Sequence, residues 1–99
     1  MSEGIVQFVD EIAGLYFRTI LLPKSGMRVE QHTHAYDHAT YCGHGSAQLY
    51  VDGEPTSIVQ IGQAVEVKAH KRHEFIALED GTLLTCIHHT ASAEAAREN

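Results

Sequence analysis

Glycine and proline residues interrupt this 99-residue chain at intervals too short for most helices. The segments between them are rich in β-branched, aromatic and aliphatic residues, which is typical of strands. The interruptions stand at Pro23, Gly26, Gly43, Gly45, Gly53, Pro55, Gly62 and Gly81. We therefore predict an all-β fold of seven or eight short strands, closed into a barrel or double-layered so that few strand edges remain exposed.

Strong turn sequences at Asp52-Gly53 and Asp80-Gly81 help to delimit the individual strands. The predicted strands cover residues 15–22, 48–51, 56–61, 64–67, 74–78 and 82–88. Residues 5–12 fit either an edge strand or a helical turn, and their periodicity does not decide between the two. The alanine-rich residues 91–99 are expected to form a short helix or to fray.

The length of the chain allows one small hydrophobic core and is too short for two. We predict a single domain over residues 1–99, with its core at about 15–90 and short N- and C-terminal extensions. The formal net charge of −6 argues against a nucleic-acid partner, because phosphate binding requires a basic surface. The basic cluster Lys68, Lys71 and Arg72 is either a solvated loop or an attractant for an anionic substrate group.

Neither a signal peptide nor a membrane-spanning stretch is visible, so we expect a cytoplasmic protein without membrane contact. Reducing conditions there disfavour a disulfide between Cys42 and Cys86, and their spacing matches no zinc motif. Both cysteines are expected to be small buried residues.

Histidine is the unusual component, with eight residues in the chain. His32 and His34 are separated by one residue, a spacing that puts both imidazoles on one face of a strand, roughly 7 Å apart. His38 stays on the same face if the strand persists. These side chains can therefore converge on one ion.

Glycines frame the three histidines in the pattern Gly26-x5-His32-x-His34-x3-His38-x6-Gly45. This spacing resembles the first conserved motif of the cupin family. In that family the position of His38 is usually occupied by Glu, and four-histidine members carry His instead.

The second cupin motif, Gly-x5-Pro-x-Gly-x2-His-x3-Asn, is matched only in part. It overlays Gly62, Lys68, His70, His73 and Ala77, of which Gly62 and His73 agree with it. The gap of sixteen residues between the two motifs is typical of a short cupin. Motif 1 thus covers residues 26–45 and motif 2 covers residues 62–77.

The resemblance implies a cupin jelly-roll β-barrel in which His32, His34, His38 and His73 hold one divalent transition-metal ion. Imidazole ligands suit Mn, Fe, Ni, Zn or Cu, so the ligands alone do not select the metal. Without a carboxylate ligand the charge of the ion is uncompensated, which favours small anionic or enolisable substrates. The leading hypothesis is a metal-dependent dioxygenase, lyase or isomerase, and a homodimer is expected through apolar strands at residues 15–22 or 58–61.

Two other functions are compatible with the same sequence. The chain can be a non-catalytic module that binds a small ligand or metal, because a fold does not determine a function. Alternatively, the ion can serve stability alone, within a closed shell of ligands.

Several further side chains adjoin the predicted ligands in sequence, but none is assigned as catalytic. The remaining histidines are expected to have local structural roles: His44, His70, His88 and His89. Of these, His88 and His89 are adjacent on the last predicted strand, so alternation directs one of the two side chains inward. The neighbouring groups with acid–base chemistry are also expected to be structural: Tyr36, Asp37, Tyr41 and Glu74.

Overall fold

In the computed structural model, which describes residues 5–31 and 33–91, nine β-strands form two antiparallel sheets. The strands are β1 (Val6–Ile12), β2 (Leu15–Leu22), β3 (Arg28–Gln31), β4 (His38–His44), β5 (Ser46–Val51), β6 (Glu54–Gln60), β7 (Ala64–Val67), β8 (His73–Ala77) and β9 (Thr82–His89). The five-stranded sheet has the order β1-β2-β9-β4-β7, and the four-stranded sheet has the order β3-β8-β5-β6. The predicted all-β jelly-roll fold is confirmed.

The first strand settles the alternative that the sequence left open. β1 pairs with β2 along its whole length and forms an edge of the five-stranded sheet. Ala13 and Gly14 connect the two strands with φ angles of 55° and 77°. Two consecutive residues with positive φ are what a tight two-residue hairpin requires. Residues 5–12 therefore contain an edge strand rather than a helical turn.

The hydrophobic core lies between the facing sides of the two sheets. Alternation along β2 buries Ile20 and Leu22 completely, and Phe75 on β8 is buried against them from the other sheet. Cys42 and Cys86 are also buried and are not joined by a disulfide, as the sequence predicts. Apolar packing between two sheets is thus the main source of stability.

A glycine marks the point where the chain crosses from one sheet to the other. Gly45 is the single residue between β4 and β5, which lie in different sheets, and its φ is 74°. A Cβ atom at this position would lie 2.5 Å from the hydroxyl oxygen of Thr82. The crossing therefore needs glycine for both its backbone angle and its close packing.

The segment that contains His34 is a loop and not a strand. β3 ends at Gln31 and β4 begins at His38, and residues 33–37 between them form a loop. This loop bonds to residues that precede β8 instead of a neighbouring strand, since Ala69 N–H donates to Asp37 Oδ1 (2.7 Å) and His70 N–H donates to the His34 carbonyl (2.7 Å). The condition under which His38 would share a strand face with His34, that the strand persists, is therefore not met.

The predicted C-terminal helix or frayed tail, from residue 92 onward, lies outside the described residues, as does His32. Within residues 5–31 and 33–91, no helix has the length and apolar character that a membrane span requires. The domain boundary at residues 15 and 90 stays a prediction.

Candidate metal centre

Two buried histidines from opposite sheets meet at one end of the barrel. His38 is the first residue of β4 and is 6% exposed, and His73 is the first residue of β8 and is 2% exposed. Their Nε2 atoms lie 3.4 Å apart. The two sheets thus bring together side chains that are 35 positions apart in the sequence.

The orientation of His73 is fixed by the chain just before it. Its Nδ1–H donates to the Lys71 carbonyl at 2.9 Å, so in the neutral imidazole the lone pair is on Nε2. The hairpin turn between β5 and β6 supports this segment, because Asp52 N–H donates to the Arg72 carbonyl (2.7 Å) and Arg72 N–H donates to Asp52 Oδ1 (3.1 Å). Asp52 therefore helps to align a candidate ligand through the backbone of Arg72.

His34 approaches the same point from the loop between β3 and β4. Its ring centroid lies 5.7 Å from that of His38 and 5.9 Å from that of His73. One nitrogen from each of the three rings can be chosen so that all three atoms lie within 4.8 Å of one another. The structure therefore brings three of the four predicted ligands together, and the fourth, His32, lies outside the described residues.

Burial keeps the imidazoles of His38 and His73 neutral near physiological pH. Desolvation lowers the pKa of His38 to about 4, helped by the neighbouring charges of His73, His34 and His88 and opposed by a hydrogen bond to the Ala39 carbonyl. Burial also lowers the pKa of His73. Neutral imidazole is the form that binds metal ions.

The donor atoms fit a transition-metal ion in both type and spacing. Two nitrogens bound to one ion at about 2.1 Å are roughly 3.0 to 3.4 Å apart at the usual bond angles. The 3.4 Å between His38 Nε2 and His73 Nε2 agrees with that spacing. The three histidines can therefore hold a metal ion, and imidazole suits Zn, Cu, Fe, Ni and Mn alike.

The predicted neighbours of the ligands have separate environments. Tyr36 stacks on His34 at a centroid distance of 5.0 Å, and the Asp37 carboxylate accepts the Ala69 N–H. Tyr41 is 42% exposed on the outer face of β4, and Glu74 pairs with Arg28 at 3.3 Å. Thus Tyr36 alone among these four makes a ring contact with the described histidine cluster.

The other histidines and the basic cluster are mainly at the surface. His44 and His89 are exposed, and His44 Nδ1–H donates to the Gly81 carbonyl at 2.8 Å. Exposed His70 has a φ of 64°, in the left-handed region that glycine favours. Lys68 pairs with Glu66 at 3.2 Å and Lys71 with Asp52 at 3.8 Å, and such exposed pairs are typical of a solvated loop.

Sequence reasoning left Tyr16 out of the site. Tyr16 stacks on His88 at 4.8 Å, and His88 also contacts Tyr36, with centroids 4.6 Å apart. The sequence does indicate its direction, because Tyr16 is an even number of residues from the buried Ile20 and Leu22. It therefore faces the interior side of β2. Its partner could not be deduced without the register between β2 and β9.

The sequence model of the cupin domain family matches residues 18–88. The chain belongs to the cupin family. This cupin is similar in fold to KdgF from a Halomonas species, with a TM-score of 0.71 and 20% identity over 85% of this chain and 76% of that one. Among curated proteins, none is similar enough in sequence to count as a match.

Two other solved structures have a similar fold. The cupin domain of an XRE family transcriptional regulator from Enterobacter cloacae has a TM-score of 0.69 and 19% identity over 88% of this chain and 98% of that one. A cupin 2 conserved barrel domain protein from Leptotrichia buccalis has a TM-score of 0.74 and 22% identity, covering 90% of this chain and 42% of that one. At these identities the likeness supports the cupin fold alone.

Proposed function

We propose that this cupin holds one divalent transition-metal ion with His32, His34, His38 and His73, and that it is a metal-dependent enzyme. Its substrate is a small anionic or enolisable molecule, and the reaction is of the dioxygenase, lyase or isomerase type. The observation that carries the proposal is the approach of His38 Nε2 and His73 Nε2 to 3.4 Å within a cluster of three histidines, of which these two are buried.

Burial and tautomer state both support this proposal. A buried imidazole is costly to protonate, and the lowered pKa values of His38 and His73 keep both imidazoles in the neutral form that binds an ion. Because His73 Nδ1–H is committed to the Lys71 carbonyl, its Nε2 lone pair faces His38. His32 is included among the proposed ligands because of its position in the first cupin motif.

The chemistry of the ligand set favours the substrate class. When bound, a divalent ion in this cluster supplies Lewis acidity for polarising a substrate oxygen and, for a redox metal, electron-transfer capacity. Four neutral imidazoles leave the positive charge of the ion uncompensated, and this charge attracts an anionic ligand. The histidines of the chain hold the ion and orient it, and their burial limits the access of water.

Metal analysis of the full chain, purified without added metal, tests the proposal. We expect about one transition-metal ion per chain, followed by turnover of at least one compound from a panel of diketones, keto acids and phenols. Oxygen uptake separates a dioxygenase from a lyase or isomerase. Stoichiometric metal without any turnover would favour a binding function, and absence of metal would contradict the whole proposal.

A second candidate is a non-catalytic module that binds a small ligand. One of the similar structures is the cupin domain of a transcriptional regulator, and the fold covers nearly all of that domain. A ligand that binds the metal-loaded protein and is recovered unchanged after long incubation would support this function. A metal ion that resists exchange and binds no ligand would instead support a purely stabilising role.

We also propose that the cupin is a cytoplasmic homodimer. The outer face of the five-stranded sheet exposes Phe8 and Ile12, each 61% exposed, on the same face as Phe17 of β2. A depression of about 480 Å³ on this face is lined in part by Ala39 and Ala64. Large apolar side chains beside a depression with small ones favour packing of this face against its copy, since exposed apolar patches commonly mark interfaces.

A further inference from the structure

His88 lies beside the histidine cluster without belonging to it. On β9, alternation directs it to the same side as the buried Leu84 and Cys86. The register Ala39↔Ile87 between β4 and β9 makes His38 and His88 neighbours on that inner side. The His88 side chain is therefore on the wall next to a candidate ligand.

Two tyrosines fix the position of this imidazole. Tyr16 stacks on it with an interplanar angle of 19° and a centroid distance of 4.8 Å, and Tyr36 contacts it at 4.6 Å. Tyr36 in turn stacks on His34 at 5.0 Å. A continuous row of aromatic rings thus connects His88 to the cluster, which limits its rotamers and preorganises its nitrogen atoms.

The hydrogen bonding of His88 determines what it can offer to a ligand. Its Nδ1 lies 3.0 Å from the His89 carbonyl, which can only accept, so Nδ1 carries the proton. In the neutral ring the lone pair is then on Nε2. Among the described residues, no hydrogen-bond donor reaches this Nε2, so the site contains an oriented acceptor that the protein itself does not use.

We propose that His88 is a substrate-positioning residue, whose Nε2 accepts a hydrogen bond from a hydroxyl group of a ligand held at the histidine cluster. The inference rests on the proposed function, because the ligand is held there by the ion. It narrows the substrate class to oxo or enol carboxylates that carry a hydroxyl group beyond the two oxygens that bind the ion.

A pair of keto acids provides the test. Pyruvate and hydroxypyruvate share the oxo and carboxylate oxygens, and only the second has the additional hydroxyl group. The full chain is loaded with Mn²⁺, and each compound is titrated while the relaxation of water protons is measured. We expect hydroxypyruvate to bind about fivefold more tightly than pyruvate, as one net hydrogen bond provides.

Variants separate hydrogen bonding from packing. His88→Phe keeps an aromatic ring against Tyr16 but removes the acceptor, so we expect the affinity ratio to fall to about one, with Mn²⁺ content and pyruvate affinity unchanged. His88→Gln keeps an acceptor and should retain part of the preference. The matched control is His89→Phe, at an exposed neighbour, which should leave the ratio unchanged.

Equal affinities for the two keto acids in the wild-type protein would overturn the inference, as would an undiminished preference in His88→Phe. If His88→Phe lacks a cooperative thermal transition, it is not folded. The inference is then tested by the ratio of hydroxypyruvate to pyruvate affinity in the wild-type protein and in His88→Gln. Loss of Mn²⁺ from folded His88→Phe would assign His88 to the metal site and also overturn a positioning role. Failure of the proposed function is distinguishable, because the wild-type protein would then take up no Mn²⁺ before any keto acid is added.

Discussion

His38 and His73 begin strands in opposite sheets, and their Nε2 atoms lie 3.4 Å apart. Two such nitrogens share a proton or an ion, because two lone pairs at this distance repel each other. The lowered pKa values keep both imidazoles neutral near neutral pH, which is the form that can bind an ion. This pair is the centre of the candidate site.

Removing one of the clustered imidazoles should remove the metal. For His34→Ala or His38→Ala we expect metal affinity to fall by more than about tenfold, a loss that even residues behind metal ligands can cause. Metal content after dialysis, measured by mass spectrometry, checks this. The control His44→Ala alters an exposed imidazole at the far end of β4 and should keep full occupancy.

The same measurement on His32→Ala tests the fourth ligand separately. We expect a loss comparable to that of His34→Ala. Full occupancy in His32→Ala together with depleted His38→Ala would leave a three-histidine site. Full occupancy in all the single variants would contradict the metal centre as a whole.

Acid should destabilise the metal-free protein through His38. Its pKa is about 4 in the folded chain and 6.5 when unperturbed, so between these pH values the unfolded chain binds more protons. The free energy of unfolding should therefore fall from pH 6.5 to pH 4, by on the order of 2 kcal/mol from this residue. Urea titrations across this range should show a smaller decrease for His38→Gln, and an identical pH dependence would contradict the assignment.

Gly45 should be far less tolerant of substitution than a turn glycine with a similar backbone. Gly45→Ala adds a Cβ that meets Thr82 at 2.5 Å, whereas Gly53→Ala, at a φ of 84°, meets nothing within 4 Å. We expect a loss of about 3 kcal/mol for Gly45→Ala and about 1 kcal/mol for Gly53→Ala. Chemical denaturation measures both, and equal losses would show that the close packing against Thr82 has no cost.

A glycine at position 70 should stabilise this cupin. His70 occupies a glycine position of the second motif and has the φ of 64° that glycine tolerates best. His70→Gly should raise the free energy of unfolding by about 0.5 to 1 kcal/mol. Ala69→Gly, at a neighbour without positive φ, should lower the free energy of unfolding. Opposite changes in the two variants are therefore the expected result, and chemical denaturation measures both.

The proposed dimer can be located by charge insertion. Sedimentation should show a dimer at micromolar concentration, and Phe17→Glu on the outer face of β2 should convert it to a monomer, since a carboxylate in an apolar interface is strongly unfavourable. Ile58→Glu provides the matched control on the other sheet, where Ile58 is 49% exposed. Dissociation by Ile58→Glu alone would move the interface to β6.

The glycine framework was predictable from sequence because it reflects local backbone angles. Gly26, Gly45 and Gly62, which define the two motifs, all have positive φ, and β-strand segments between turns follow from residue type. By contrast, the Ala13-Gly14 turn has no distinctive sequence, so the sequence does not distinguish an edge strand from a helical turn at β1. Local patterns therefore predicted most strands and motifs.

Features that depend on distant partners were not predictable. The loop containing His34 is held by Ala69 and His70, more than thirty positions away, and these hydrogen bonds stand where a continuing strand would pair with a neighbour. Likewise, the stacking of Tyr16 on His88 depends on the register between two strands at opposite ends of the chain. Pairings of this kind become visible only when the topology is known.

The hydrogen bonds that tie the loop of His34 to the segment before His73 have a consequence for metal exchange. Because they use backbone groups and the Asp37 carboxylate rather than the imidazoles, they persist when no ion is bound. The cost in conformational entropy of gathering the ligands is thus largely met during folding. We expect the ion to enter and leave a folded barrel, so that the metal supply of the cell, rather than folding, decides which ion is carried.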